Sequence, residues 1–134
     1  MKLELIATGA EVTLPDDLMW VDEHSWTPVA QNASRLIDGA LLVETAIKLK
    51  GRPITLQAPS DDMAWVPFWV IKTLYGWAEI EAAKFLLTYR DGRTFIVIMA
   101  HDGQASAVEA SPVAGFPARK DTEPFRLTLK LMEV

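Results

Sequence analysis

Two histidines, each beside acidic residues, are the residues whose types most suggest chemistry. Asp22-Glu23-His24 and His101-Asp102 could each supply half of a metal site, and a hydrolase could combine the two imidazoles with these carboxylates. Both segments are more simply explained as polar loops, because nothing in the sequence supplies the remaining ligands of a metal site. We therefore expect no catalytic, cofactor-binding or metal-binding residues, and we expect that the protein is not an enzyme.

Catalytic sequence motifs are absent. The chain has no Gly-rich phosphate loop, no HExxH and no GxSxG. Asp61-Asp62 is interpreted as the acidic start of a helix rather than as paired catalytic carboxylates, because aspartate caps free N–H groups and suits the positive end of the helix dipole. The chain has no cysteine, which excludes disulfides and thiolate chemistry.

Length and composition predict one globular, soluble domain spanning residues 1–134, of which half are hydrophobic. The net charge of −5 and the scattered basic residues argue against sequence-specific nucleic-acid binding. The most apolar run, residues 63–75, is shorter than the roughly 20 residues that span a bilayer. Glu4 lies early in an N-terminus without a long apolar segment, so we expect neither a signal peptide nor membrane insertion.

Residues 41–57 alternate with the period of a β-strand and predict a central antiparallel hairpin. The turn is placed at residues 50–53, where Gly51 can take positive φ and Pro53 fixes its own. One parity predicts a buried row, formed by Leu41, Val43, Thr45, Ile47 and Leu49. Leu36 and Ile37, just upstream, are also expected to be buried.

A second hairpin is predicted over residues 84–99, because Asp91-Gly92 separates two β-rich runs. A two-residue loop would place Arg90 opposite Arg93, which repel each other. A three-residue loop with Gly92 left-handed instead places Tyr89 opposite Arg93. One face then carries Phe85, Leu87, Phe95 and Val97. The other face is also apolar, which predicts burial on both faces by a second layer or another subunit.

The remaining segments complete a mainly β (α+β) prediction, an antiparallel β-sandwich or small barrel with one short packed helix. Further strands are expected at residues 1–8, 11–14, 18–21, 105–110 and 125–132. The helix is expected from about residue 66 to 75, ended by Gly76 in a left-handed cap and covered on more than one face. Residues 111–124 hold three prolines and predict a loop or arm.

Five tryptophans are many for this length, and core filling must account for most of them. Aromatic residues are also enriched at protein interfaces. The candidate residues for a subunit contact are Trp65, Trp69, Tyr75, Trp77, Phe116 and Pro117. The hairpin tips carry Arg52, Asp91, Gly92 and Arg93, and both arginines are expected to be solvated turn residues.

Several short elements, taken in order, resemble a family of small tail proteins of tailed bacteriophages and prophages. The elements are Arg35-Leu36 with Gly39, Leu42-Val43-Glu44, Gly51-Arg52-Pro53-Ile54-Thr55-Leu56, Trp65 with a short helix, Asp91-Gly92-Arg93-x-Phe95-x-Val97, Glu109-Ala110-x-Pro112, and Leu127 to Val134. The family is encoded among the tail-tip genes of Mu-like phages with long non-contractile tails. The resemblance covers nearly the whole chain from about residue 35, and residues 1–34 match less distinctly.

The resemblance implies a virion structural protein of the distal tail or baseplate, made in the cytoplasm of the host bacterium. Such proteins assemble as homo-oligomeric rings, often hexamers, and dock onto other tail proteins. DNA would pass through the central channel without being bound. Two alternatives remain open: a monomeric β-barrel that binds a small ligand in an apolar mouth, and a hydrolase that uses His24 and His101.

Overall fold

The computed structural model describes residues 1–48, 51–101, 105–115 and 120–134. Most of the regular structure is antiparallel β-strand, and the single helix is short. The strands are β1 Lys2–Leu5, β2 Ala10–Thr13, β3 Met19–Trp20, β4 Val29–Arg35, β5 Leu41–Ile47, β6 Pro53–Gln57, β7 Trp65–Pro67, β8 Phe85–Thr88, β9 Thr94–Met99, β10 Val108–Pro112 and β11 Pro124–Glu133. The helix, α1, is Phe68–Ala78.

The strand β11 lies at the centre of the main sheet. Four shorter strands pair with it: β6 and β7 lie along one edge, and β9 and β10 lie along the other. The sheet continues outward from β9 through β8 and β1 to β2, and from β6 to β3. The predicted mainly β class with one short helix is confirmed, and the sheet does not close into a barrel. The barrel alternative for the fold is therefore wrong.

Alternation along β11 explains why it occupies the centre. Its inward residues Phe125, Leu127, Leu129 and Leu131 are all buried, while the residues between them are partly exposed. A strand that presents four consecutive large apolar side chains to one side buries most when it has neighbours on both edges. The sequence prediction of this strand is confirmed.

The predicted β8–β9 hairpin is also confirmed, including its loop. The N–H of Tyr89 donates to the carbonyl of Arg93 at 2.8 Å, and Gly92 adopts φ 93°. Phe85 pairs with Val97 and Leu87 with Phe95, which places these four side chains on one face as predicted. The opposite face is not buried within the chain, because Ile96 is 47% exposed.

The central hairpin predicted over residues 41–57 does not form. β5 pairs with β4 instead, and β6 joins the main sheet between β11 and β3. The alternation of Leu41, Val43, Thr45 and Ile47 is real, but every residue of β5 is exposed, so the prediction of a buried row is wrong. Leu49 lies outside the described residues. Leu36 and Ile37 are exposed at the tip of β4–β5, so their predicted burial is wrong as well.

The helix begins two residues later than predicted and continues through Gly76. Pro67 precedes it in an extended conformation, so the proline ring breaks no helical hydrogen bond. The free N–H groups of Phe68 and Trp69 donate to the carbonyls of Glu123 and Asp121, each at 2.9 Å. Backbone groups from a distant loop thus satisfy the helix start.

Asp61 and Asp62 therefore do not cap the helix, which corrects the sequence interpretation. The carbonyl of Asp61 accepts the indole N–H of Trp65 at 2.8 Å instead. The predicted left-handed cap at Gly76 is also wrong, because the helix ends at Ala78. One face of the helix is buried, formed by Val70, Ile71, Leu74 and Trp77. The prediction that more than one face is covered is not met by the part of the chain that the structure describes. No helix in the described ranges is long and apolar enough to cross a membrane.

Two glycines in different backbone conformations provide a matched test of this description. Gly92→Ala should lower the free energy of unfolding by about 1 kcal/mol, because an L side chain is strained at φ 93°. Gly76→Ala should raise it by about 0.5–1 kcal/mol, because alanine suits a helix interior and an added Cβ meets no atom within 4 Å. Urea unfolding of both variants measures the two effects. Destabilisation by Gly76→Ala would contradict the helical position of that residue.

Candidate functional site

The two histidines that suggested chemistry lie in unrelated surroundings. His24 is exposed on the loop after β3, and its Nε2 lies 3.8 Å from a carboxylate oxygen of Glu23. In His101, Nδ1 accepts the N–H of Ala107 at 3.1 Å and Nε2 lies 3.2 Å from the carbonyl of Ala78. The imidazole of His101 therefore links the end of α1 to the start of β10. Asp102, its sequence neighbour, lies outside the described residues.

Grouped metal ligands are not found in the described part of the chain, where no three His, Cys, Asp or Glu side chains could hold one ion. An open groove of about 500 Å³ lies beside β10 and β11, with Asp61, Glu109 and Arg126 among its lining residues. Its charges are already paired, because Arg126 lies 3.7 Å from Asp61 and Lys130 lies 3.1 Å from Glu109. The described lining of the groove thus presents no unpaired charge to a ligand.

The predicted contact aromatics divide into two groups. Trp65, Trp69 and Tyr75 are 45%, 46% and 40% exposed, so they remain available to a partner. Trp77 is only 8% exposed, and its ring lies 5.6 Å from that of Phe85. The interface prediction is wrong for Trp77, which fills the core because it lies on the buried face of α1. Phe116 and Pro117 lie outside the described residues.

The arginine at the first predicted hairpin tip is not simply solvated. The guanidinium of Arg52 lies 4.5 Å from the ring centroid of the buried Trp20 and 5.8 Å from that of Trp26. Its Nη2 donates to the carbonyl of Glu23 at 3.0 Å. Arg52 therefore fastens the loop after β3 to the body of the protein by stacking and by a hydrogen bond.

The arginine at the second hairpin tip reaches the same tryptophan from another side. Arg93 donates from Nη2 to the carboxylate of Glu23 at 2.7 Å and from Nε to that of Asp91 at 2.6 Å. Its guanidinium lies 5.5 Å from the ring centroid of Trp20. The expectation of a solvated turn residue is wrong for Arg52, which is partly buried, whereas Arg93 is exposed as expected and is also held by two carboxylates. Residues far apart in sequence thus converge on one indole.

We call Arg52, Arg93 and Trp20, with Glu23 and Asp91, the arginine cluster. Its two carboxylates titrate in acid. The hydrogen bond from Arg93 holds the pKa of Glu23 below its ordinary value, and the backbone N–H of Arg93 does the same for the pKa of Asp91. A carboxylate whose pKa is lower in the folded chain stabilises the fold above its unfolded pKa. That stabilisation is lost as the pH falls through the folded value.

We expect Arg93→Gln to be less stable than the parent at pH 7 and to approach it in stability between about pH 5 and pH 2. The reason is that Glu23 and Asp91, once protonated, no longer form ion pairs with Arg93. Urea unfolding across that range measures the gap between the two proteins. Arg90→Gln is the control, because Arg90 donates to a backbone carbonyl, that of Asp16. A gap for Arg93→Gln that is independent of pH would contradict the described ion pairs.

The most exposed element is the hairpin of β4 and β5, residues 29–47, which we call the arm. Its strands pair only with each other among the described residues, in register from Val29 opposite Ile47 to Arg35 opposite Leu41. The strands join the body where the N–H of Lys48 donates to the carbonyl of Pro28 at 2.7 Å. The ammonium of Lys48 lies 5.6 Å from the ring centroid of Trp26, so the arginine cluster lies beside the root of the arm.

The two faces of the arm differ in chemistry. The apolar face carries Val29, Ala33, Leu41, Val43 and Ile47, together with Gln31, Thr45 and Arg35. The polar face carries Ala30, Asn32, Ser34, Leu42, Glu44 and Ala46. A two-stranded hairpin alone is marginally stable in water and needs a further surface on its hydrophobic face. The apolar face is therefore the surface of this chain best suited to a partner.

The β4–β5 hairpin is absent from the sequence predictions, although the sequence contains a signal for it. The loop from Leu36 to Ala40 contains Asp38-Gly39 and repeats the hydrogen bonds of the Asp91-Gly92 loop: the N–H of Leu36 donates to the carbonyl of Ala40 at 2.8 Å. Gly39 has φ 87°, and the carboxylate of Asp38 accepts the N–H of Ala40 at 2.9 Å. The Asp-Gly pair marks this hairpin just as it marks β8–β9.

No protein-family model, curated protein or solved structure matches this chain. The candidate functional surfaces are therefore identified from structure alone. They are the arm, the exposed aromatics and the arginine cluster.

Proposed function

We propose that this protein is a structural subunit of a bacteriophage or prophage tail, near the distal end or baseplate, that acts by self-assembly and by docking to other tail proteins. The observation that carries the proposal is the arm: an amphipathic hairpin whose apolar face has no cover among the described residues. Such a face is stable in water only when another surface packs on it. In the proposed self-assembly, a second copy of the chain supplies that surface.

The kind of assembly follows from the position of the arm. The arm projects from the body, so an arm that packs on the body of a neighbour makes a head-to-tail contact. Contacts of this type close into a ring when the rotation between neighbours permits it. The resemblance to phage tail proteins implies such a ring around a DNA channel, and the net charge of −5 suits a lumen through which DNA passes.

The exposed aromatics support a second set of contacts. Trp65, Trp69 and Tyr75 lie on β7 and α1, which are separate elements from the arm, and each is at least 40% exposed. Aromatic side chains at this exposure are typical of protein interfaces. We assign this surface to the other tail proteins onto which the subunit docks.

Replacement of the arm tests the self-assembly. The segment 29–47 can be exchanged for a short Gly-Ser linker, because Pro28 and Lys48 are hydrogen-bonded neighbours at 2.7 Å. Light scattering across a concentration series should show that the parent gains mass as concentration rises and that the exchanged protein stays monomeric with an unchanged fold. A parent that stays monomeric at every concentration would overturn self-assembly.

The place of the protein in the virion needs a separate test. Antibody raised against the purified chain should label one end of the tail in particles released from the bacterium that encodes it. Label on no particle, or on the capsid, would overturn the tail assignment. That result would leave the self-assembly test unaffected.

A further inference from the structure

A second uncovered apolar surface lies on the outer face of the main sheet, opposite the helix. It is formed by Leu86, Ile96, Ile98 and Met132, which we call the outer patch. Leu86 pairs with Ile96 across β8 and β9, and Ile98 pairs with Met132 across β9 and β11, so the four side chains are contiguous. Ile96 is 47% and Met132 is 37% exposed. Besides the exposed aromatics on β7 and α1, the described residues thus leave two apolar sheet faces without a partner, the outer patch and the apolar face of the arm.

Two acidic side chains border the outer patch on one side. Glu4 pairs with Leu86 across β1 and β8, and Glu11 lies directly opposite Glu4 across β1 and β2. Like charges in directly opposed positions destabilise a sheet. Lys2 reaches Glu11 at 3.7 Å, whereas Glu4 has no ion pair among the described residues. A cationic side chain from another molecule could therefore pair with Glu4 and relieve its repulsion from Glu11.

The arm carries such a cation at the matching place. Arg35 lies on the apolar face, at the end of β4 that leads into the tip, and within the described ranges its one hydrogen bond runs from Nη1 to the carbonyl of Gly39 at 3.2 Å. From root to tip the apolar face therefore carries aliphatic residues, with the pair Gln31 and Thr45 between them, and ends in Arg35 opposite Leu41. From β11 to β2 the outer face reads as aliphatic residues followed by two glutamates.

The dimensions of the two surfaces agree. The six residue steps from Val29 to Arg35 span about 20 Å of extended strand. The four intervals between the strands from β11 to β2 span about 19 Å at the usual spacing. Two sheets can pack with strands crossing at nearly right angles. An arm laid across the outer face in this way covers the outer patch with its aliphatic residues and brings Arg35 over β1 and β2.

We infer that the apolar face of the arm docks on the outer patch of a second copy of this chain, with Arg35 paired to Glu4 and Glu11. The inference rests on the proposed self-assembly and names the surface that receives the arm. The charge pair fixes the direction of the arm, because the reversed arm would place Arg35 on Ile98 and Met132. Opposite charges at the edge of an apolar contact are typical determinants of orientation and partner choice.

Charge reversal tests the inference by light scattering and sedimentation. Arg35→Glu and Glu4→Arg should each weaken self-association by at least about tenfold, and the double variant Arg35→Glu/Glu4→Arg should restore it. Glu4→Arg should not destabilise the fold, because it replaces the repulsion of Glu11 by an attraction. The matched control is Arg90→Glu: Arg90 is also exposed and also donates from Nη1 to a backbone carbonyl at 3.2 Å.

The outcomes separate the two proposals. A parent that never associates overturns the self-assembly itself. A parent that associates, with Arg35→Glu no weaker than Arg90→Glu, overturns the inferred pairing and leaves self-assembly standing. Loss of association in Arg35→Glu without any loss in Glu4→Arg would also overturn it, and would indicate that two arms pack on each other.

Discussion

Leu129→Ala should lower the free energy of unfolding by about 2–5 kcal/mol. Leu129 is fully buried in β11, where its neighbours across the sheet are Val108 of β10 and Leu56 of β6. Truncation removes apolar contacts from both sides of the central strand. The backbone pairing on both edges also prevents the strand from moving into the cavity, which places the loss toward the upper part of that range.

The neighbouring residue Thr128 provides the control. It lies in the same strand and pairs with Glu109 and Gln57 on the outer face. Thr128→Ala should change the free energy of unfolding by no more than about 0.5 kcal/mol. Urea unfolding followed by tryptophan fluorescence measures both variants. A cost for Leu129→Ala below that of Thr128→Ala would contradict the position of β11 at the centre of the core.

Val43→Asp should weaken self-association by more than about tenfold and leave the body folded. Val43 lies on the apolar face of the arm, opposite Ala33. In the proposed assembly its aspartate would be buried without a partner, which costs several kcal/mol, and each 1.4 kcal/mol is about tenfold in affinity. In the single chain the same position is 43% exposed, so stability should change little.

Leu42→Asp is the matched control for this prediction. Leu42 is adjacent to Val43 and almost equally exposed, at 41%, but it faces the other side of the arm. An aspartate there stays in water and should leave association within about threefold of the parent, because exposed substitutions have small effects. Sedimentation velocity across a concentration series compares the two. Equal effects of both variants would show that the arm does not bind through one face.

Local elements of the fold could be predicted from the sequence because their signals are local. The alternation of residues 125–132 identified β11, and the Asp91-Gly92 pair identified both the β8–β9 hairpin and its three-residue loop. The Asp38-Gly39 pair likewise marks the β4–β5 hairpin, but the exposure of β5 could not be predicted in the same way. Alternation gives the period of a strand and the side on which its apolar residues lie, but it does not say what covers that side. The same apolar row fits a buried core strand and an exposed arm.

The arginine cluster lay beyond sequence reasoning for a different reason. Arg52, Arg93 and Trp20 come from three separate turns and strands, and only the order of strands in the sheet brings them together. The start of the helix was misplaced because the carbonyls that satisfy it come from residues 121 and 123. Capping rules consider residues just before a helix and cannot recognise a cap from a distant loop. Exposed aromatics on β7 and α1 were partly predictable, since five indoles exceed what the core takes up.

The position of β11 has a consequence for how the chain reaches its native state. Every strand that pairs with β11 precedes it in the sequence. During synthesis, β6, β7, β9 and β10 therefore leave the ribosome before β11. The two halves of the sheet stay unconnected until β11 pairs with both of them. Long-range pairing of this kind is slow. The interval before β11 arrives is when nascent chains are most open to chaperones and to misplaced contacts with one another.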